Sequence, residues 1–179
     1  MLQFKKTFRN FLPIVTSLSF NNEVSLIVSH LNLIFVLKFL KDHIGSQYKI
    51  LSCISGVDFL GKDYRFCIAY DLLSIQFNNR LRVKIFVNEI TSINSCCQVY
   101  INADWWEREV WDMYGIYFEK HPDLRRILTD YGFEGYPFRK DFPLSGYTEL
   151  RFDESLKRVV IEPVELAQEY RIFDYELPW

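Results

Sequence analysis

The chain has 179 residues, 49% of them hydrophobic and 25% charged, with a formal net charge of −2. That length fits one domain built on one substantial core. The near-balanced charge argues against a dedicated nucleic-acid binder, which carries a strong basic excess. Aromatic residues make up 17% of the chain, and aromatics are enriched in interface centres as well as in cores. Alanine is scarce, with only Ala69, Ala103 and Ala167, whereas Phe, Tyr, Ile, Asn and Lys are plentiful. These five share AT-rich codons, which points to an AT-rich coding genome.

Residues 1–21 form a basic N-terminal segment, with Lys5, Lys6 and Arg9 and no acid. It reads as a poorly ordered terminus. A targeting segment is the alternative, but the Arg and Ser richness of a strong transit peptide is missing. The hydrophobic run from Val24 to Leu40 is interrupted by Ser25, Ser29, His30, Asn32 and Lys38. A membrane span needs about 20 nearly uninterrupted apolar residues, so the run divides into a strand from Asn22 to Val28 and a helix from Asn32 to His43. Gly45 stands where a helix C-terminal cap belongs.

A second strand is expected from Tyr48 to Ile54, then a loop over Gly56-Val57-Asp58-Phe59-Leu60-Gly61. Tyr64, Phe66, Ile68, Tyr70 and Leu72 alternate with Arg65, Cys67, Ala69 and Asp71, a strand signal. Asn78-Asn79 is a turn candidate. Val83, Ile85 and Val87 mark the next strand, so these two strands form an antiparallel pair. Residues 90–102 read as irregular or as a further short strand.

Asp104 then has the look of a helix N-cap, with Glu107 as its capping-box partner. Ala103, Trp106, Val110 and Met113 make an apolar stripe at helical spacing. Arg108 and Asp112 stand four apart on the polar side and are expected to pair. Gly115 ends the helix. Pro122-Asp123 opens a second short helix that buries Leu124, Ile127 and Leu128 and stops at Gly132. Beyond Phe133 the chain offers six-residue islands broken by Pro137, Pro143, Pro163 and Pro178. Long irregular stretches of this kind tend to be functional or bound.

The residues able to carry chemistry are few. Glu107, Glu109, Asp112 and His121 could serve an acid/base or metal centre. Their flanking Arg108, Arg125 and Arg126 favour solvated ion pairs instead. His121, before a proline, suits a structural hydrogen bond better than a ligand role. Cys53, Cys67, Cys96 and Cys97 include no CxxC, so they read as reduced, mostly buried thiols. Arg125-Arg126 and Arg139-Lys140 could hold phosphate. The nearby Asp123, Asp130, Glu134 and Asp141 favour an ion-pair network that locks the loop. No dinucleotide fingerprint, Walker loop, nucleophile elbow or zinc-protease helix motif is present.

The tail from Tyr147 to Trp179 is acidic and carries apolar anchors, among them Phe152, Tyr170, Phe173 and Trp179. An arm laid over a partner fits that pattern better than a free disordered tail.

Three strings carry a resemblance: Glu107-Arg108-Glu109-Val110-Trp111-Asp112-Met113-Tyr114-Gly115-Ile116, then His121-Pro122-Asp123-Leu124-Arg125-Arg126-Ile127-Leu128-Thr129-Asp130-Tyr131-Gly132-Phe133-Glu134-Gly135, then Arg139-Lys140-Asp141-Phe142-Pro143-Leu144-Ser145-Gly146-Tyr147. With Lys157-Arg158-Val159-Val160 and Glu162-Pro163-Val164-Glu165 in the tail, the chain resembles the 30 kDa subunit family of respiratory complex I, the family of NADH dehydrogenase subunit 9. The resemblance is specific from Trp105 onward and collinear from about residue 22.

It implies an α+β fold, with a mixed, largely antiparallel sheet packed by helices and an extended C-terminal arm. The domains would be residues 1–21, 22–146 and 147–179. It implies a structural subunit of the hydrophilic arm of mitochondrial NADH:ubiquinone oxidoreductase, peripheral to the inner membrane on the matrix side. The subunit would bind no cofactor or metal and carry no catalytic residue, within a complex that uses NADH, FMN, iron–sulfur clusters and ubiquinone. Its partners would be the 49 kDa-type quinone-site subunit and the subunit that holds the terminal iron–sulfur cluster, with no nucleic acid and only indirect membrane contact. Candidate interface residues are Trp111, Arg125, Arg126, Arg139, Lys140, Asp141, Phe152, Tyr170, Phe173 and Trp179. An assembly factor, or a free-standing acid or metal hydrolase, are the alternatives.

Overall fold

A computed structural model describes residues 12–20, 23–165 and 173. Strands β1 (Ile14–Phe20), β2 (Glu23–Val28), β3 (Ile50–Asp58), β4 (Phe66–Ser74) and β5 (Asn79–Val87) form a five-stranded sheet in the order β1-β2-β5-β4-β3. Only β2 and β5 run parallel; the other neighbours are antiparallel. Helix α1 (Leu33–Asp42) makes the crossover from β2 to β3, and α2 (Ala103–Tyr114) follows the sheet. Two short strands flank α2 in sequence, β6 (Ile93–Asn94) and β7 (Phe118–Glu119), and pair in parallel. The fold is α+β with a mixed, largely antiparallel sheet. Among the described residues no helix is long and apolar enough to cross a membrane.

The alternation read along β4 and β5 explains the core. Phe66, Ile68, Tyr70 and Leu72 are at most 1% exposed, and Leu81, Val83, Ile85 and Val87 meet them on the neighbouring strand. From α1, Leu33, Val36, Leu37 and Leu40 complete the same cluster, and Ala103 and Val110 enter it from α2. Burying one such side chain contributes about 1.5–3 kcal/mol, so this layer dominates the stability.

Several local expectations are corrected. The segment expected to be a poorly ordered terminus contains β1, paired along β2. Its exposed Val15, Leu18 and Phe20 give no clear alternation of burial to read. Gly45 does not cap α1: the helix ends at Asp42 with His43 extended (φ −67°, ψ 132°), and Gln47 takes the left-handed turn (φ 44°). Asn78 does take the turn expected of it, at φ 44°.

Gly56 belongs to β3 rather than to a loop. A glycine inside a strand often marks a close approach, and here the Tyr114 ring of α2 lies against it. An added Cβ would sit 2.6 Å from Cε2 of that ring. The Tyr114 hydroxyl donates to the Gly56 carbonyl at 2.8 Å, and the Asn102 amide donates to the Leu51 carbonyl at 2.6 Å. Both ends of α2 are thereby fastened to β3.

Residues 1–140 and 141–179 form two units. The second contains a hairpin of β8 (Thr148–Asp153) and β9 (Arg158–Pro163). The Asp153 carboxylate accepts the Ser155 and Leu156 amides at 2.7 and 3.0 Å, and Lys157 completes the turn at φ 51°. Leu150 pairs with Ile161 and Phe152 with Val159, which puts four exposed apolar side chains on one face. Tyr170 and Trp179 lie outside the described residues.

The Gly56 fit yields a stability prediction. Gly56→Ala is expected to destabilise the protein by about 1–3 kcal/mol through overpacking, which lowers the melting midpoint by roughly 2–4 °C per kcal/mol. Differential scanning calorimetry of the full chain checks it; an unchanged midpoint would show that the ring yields freely.

Candidate docking site

Helix α2 starts at Ala103, and Asn102 at its N-cap makes no side-chain capping bond. Asp104 is therefore not the cap, and Glu107 is not a capping-box partner. Glu107 points inward at 0% exposure. Its carboxylate accepts the Ser95 hydroxyl at 2.6 Å, the Cys96 amide at 2.7 Å and the Cys97 thiol at 3.4 Å. A buried charge persists only when it is hydrogen-bonded in this way. Glu107 thus ties the segment before α2 to the helix.

Asp112 is likewise at 0% exposure. Its Oδ2 accepts the amides of Ile127, Leu128 and Thr129 at 3.1, 2.8 and 2.9 Å, and its Oδ1 accepts the Thr129 hydroxyl at 2.7 Å. Burial alone would raise its pKa, but these bonds outweigh burial and hold it below the usual carboxylate range. Two expectations fall here. Asp112 does not pair with Arg108, and neither Glu107 nor Asp112 belongs to a solvated ion pair. The short helix expected after Pro122 is absent too: β7 is followed by bends, because three successive amides turn toward one carboxylate.

The far end of this loop is held by a second carboxylate. Asp58, whose side chain is 0% exposed, accepts Arg65 through Nε at 2.8 Å and through a terminal nitrogen at 2.9 Å, and the Lys140 amide at 2.8 Å. The Arg65 guanidinium holds its carboxyl below the ordinary range, and the Lys140 amide adds to that.

Gly115 ends α2 as expected, in the left-handed region (φ 76°). An added Cβ there would fall 2.6 Å from Cζ of Tyr136 and 2.8 Å from a terminal nitrogen of Arg139. Arg139 donates through Nε to the Tyr114 carbonyl at 2.7 Å, and its guanidinium lies 4.6 Å from the Tyr136 ring. It also approaches Glu89 at 3.5 Å. Arg126 donates to the Gly135 carbonyl at 3.1 Å, approaches Asp112 at 3.5 Å and stands over Tyr136 at 5.2 Å. Trp111 packs edge-on to Tyr117 and Tyr136 at 6.0 and 6.2 Å.

The expected candidates therefore divide. Arg126, Arg139, the Lys140 amide and Trp111 take part in this loop-locking network. The Arg125 side chain is 68% exposed and pairs with Asp123 at 2.8 Å. Asp141, Phe152 and Phe173 are exposed.

His121 brings its Nε2 to 3.2 Å from Oδ1 of Asp104 and 3.8 Å from Oε2 of Glu107. Cys97, Asp104 and His121 offer ligand atoms within 4.8 Å of one another. However, His121 Nδ1 accepts the Asp123 amide at 3.1 Å, and its Nε2 faces the carboxylates. Burial pushes the Cys97 thiol up to about 12. These groups form a hydrogen-bonded node with Glu107. Asp112, spent on residues 127–129, does not join it, so the four groups considered for acid/base chemistry do not converge.

The comparisons with known proteins decide the family. Residues 26–148 match the family described as respiratory-chain NADH dehydrogenase, 30 Kd subunit. The chain belongs to that family. It is 57% identical over 143 residues to NADH-ubiquinone oxidoreductase subunit 9 of Prototheca wickerhamii, covering 80% of this chain and 74% of that one. It is 54% identical over 157 residues to NADH-ubiquinone oxidoreductase subunit 9 of Reclinomonas americana, covering 88% and 77%. A solved chain of the membrane-bound sulfane sulfur reductase, an archaeal respiratory membrane complex, shares the fold at a TM-score of 0.67 and 22% identity, over 79% of this chain and 84% of that one.

A complex I of this kind uses NADH, FMN, iron–sulfur clusters and quinone. The cysteines of this chain do not fit a cluster. Cys53 and Cys97 donate to Asp71 and Glu107 respectively, both at 3.4 Å, and Cys53 and Cys67 lie on β3 and β4 whereas Cys96 and Cys97 precede α2.

Asp58 and Asp112 make stability depend on acid. Both folded pKa values are lowered, so their stabilisation is complete above the unfolded carboxylate value of about 3.9 and is lost as pH falls through the folded values. Thermal melts of the full chain should hold level above about pH 5 and fall steeply below about pH 4. Asp112→Asn should cost about 2–3 kcal/mol at neutral pH and flatten the acid limb. An acid limb identical to that of the unsubstituted chain would refute the role given to Asp112.

Proposed function

We propose that this chain is a structural subunit of the hydrophilic arm of the mitochondrial NADH:ubiquinone oxidoreductase, supporting electron transfer from NADH to ubiquinone without binding a cofactor itself. Membership of the 30 kDa subunit family carries this reading. The fold supplies its physical side. Two of the groups that could have served chemistry, Glu107 and Asp112, are buried and hydrogen-bonded by the chain itself, as is Asp58. Asp112 and Asp58 hold a pre-shaped loop over residues 121–140, and pre-organised surfaces bind with less ordering cost.

In this reading the chain sits on the matrix side of the inner membrane and reaches the membrane only through partners. The subunits implied are the 49 kDa-type quinone-site subunit and the holder of the terminal iron–sulfur cluster. The β8–β9 hairpin supports an arm role. A two-stranded hairpin is marginal in water by itself, and this one exposes Leu150, Phe152, Val159 and Ile161 on one face. In this reading a neighbouring subunit covers that face.

Purification of the intact complex tests the function. The chain should be present at one copy in the mature NADH:quinone reductase, and its deletion should abolish the assembled enzyme. Presence only in assembly intermediates would transfer the role to an assembly factor. Limited proteolysis adds a second readout: cleavage beyond about residue 147 in the isolated chain should disappear in the complex, and a fully protected isolated chain would contradict the arm.

A further inference from the structure

Arg108 is 7% exposed, and its one hydrogen bond among the described residues runs from Nε to the Arg125 carbonyl at 3.2 Å. Both carboxylates at helical spacing from it are engaged elsewhere. Asp104, four residues before, faces His121 at 3.2 Å, and Asp112, four residues after, holds the amides of residues 127–129. The Arg108 terminal nitrogens have no partner among the described residues and are not among the fully buried unpartnered atoms, so they keep contact with solvent, and such a guanidinium favours a carboxylate in bidentate geometry.

Exposed apolar side chains share its stretch of chain, alongside the exposed Asp123–Arg125 pair. Trp105, three residues before on the same face, is 68% exposed, Ile101 before the helix is 89% exposed, and Leu128 on the strapped loop is 60% exposed. Trp and Arg together are the residue types that dominate binding hot spots.

We propose that the stripe Ile101–Trp105–Arg108 docks a segment of a neighbouring subunit, one that places an Asp or Glu carboxylate on the Arg108 guanidinium and an apolar surface on Trp105. The inference rests on the subunit reading above and adds the place and chemistry of one contact. Charge complementarity selects the occupant: a cation left without a carboxylate at both helical spacings, with the exposed Trp105 one turn away, suits an acidic residue set beside an apolar one. A nucleic acid or a lipid headgroup would call for several clustered cations, whereas the neighbouring Arg125 is already paired with Asp123.

The test uses the intact complex, with the native chain replaced by variants. Trp105→Ala and Arg108→Glu should each weaken retention of the chain by about 30-fold, the equivalent of a hot spot of about 2 kcal/mol at 1.4 kcal/mol per factor of ten. Arg108→Lys should retain part of it. Arg80→Glu, at an exposed arginine of β5 with no ion pair among the described residues, should change nothing.

Trp105 is exposed, so its truncation should leave the melting midpoint of the full chain unchanged, and this variant remains decisive if Arg108→Glu fails to fold. A benzophenone amino acid placed at position 105 should cross-link, in the purified complex, to a peptide of another subunit that contains Asp or Glu. A cross-link to a second copy of this chain, no cross-link at all, or normal retention of Trp105→Ala would overturn the proposal. If the unsubstituted chain itself is absent from the complex, the subunit reading fails instead.

Discussion

Asp112 carries the arrangement on which the rest of the candidate site depends. A carboxylate with no exposure to water is costly unless its lone pairs are used. Here three successive amides and a hydroxyl of residues 127–129 use them. The same bonds leave those amides unavailable to a helix. One side chain of α2 therefore decides both the burial of a charge and the course of the loop that crosses the helix.

Glu107 and Asp58 repeat the device at two further points. Glu107 collects Ser95, Cys96 and Cys97 ahead of α2, and Asp58 fastens Arg65 and the Lys140 amide to the end of β3. Gly115 lets Tyr136 and Arg139 close over the C-terminus of α2. Glu107 and Asp112, two of the three carboxylates that sequence reasoning offers to catalysis, are consumed here as structural acceptors. A preformed surface, rather than a reaction centre, is what such a network supplies. That agrees with a family whose members are subunits of an electron-transfer complex.

Legibility in the sequence follows the range of the interactions. The period-two alternation of Phe66, Ile68, Tyr70 and Leu72 exposes the core strands, because burial on one sheet face repeats locally. The stripe on α2 and the stop at Gly115 are equally local. The burial of Glu107 and Asp112 is not legible. Each has a plausible local partner, Asp104 in a capping box and Arg108 at four residues, while the true partners lie 10 to 17 residues away in sequence. Gly56 misleads for a related reason, since glycine signals both loops and close approaches, and only the Tyr114 ring tells them apart. The family strings from Glu107 to Tyr147 are readable because they are long and specific, yet they do not disclose which of their charges face inward.

If the Asp112 carboxylate holds residues 127–129 in shape before any partner arrives, amide hydrogen exchange of the full chain, free and within the assembled complex, will show it most directly. The amides of Ile127, Leu128 and Thr129 should be protected in both states and lose that protection in the free chain on Asp112→Asn. Fast exchange of these three amides in the free unsubstituted chain, with protection only in the complex, would show instead that partners shape the loop.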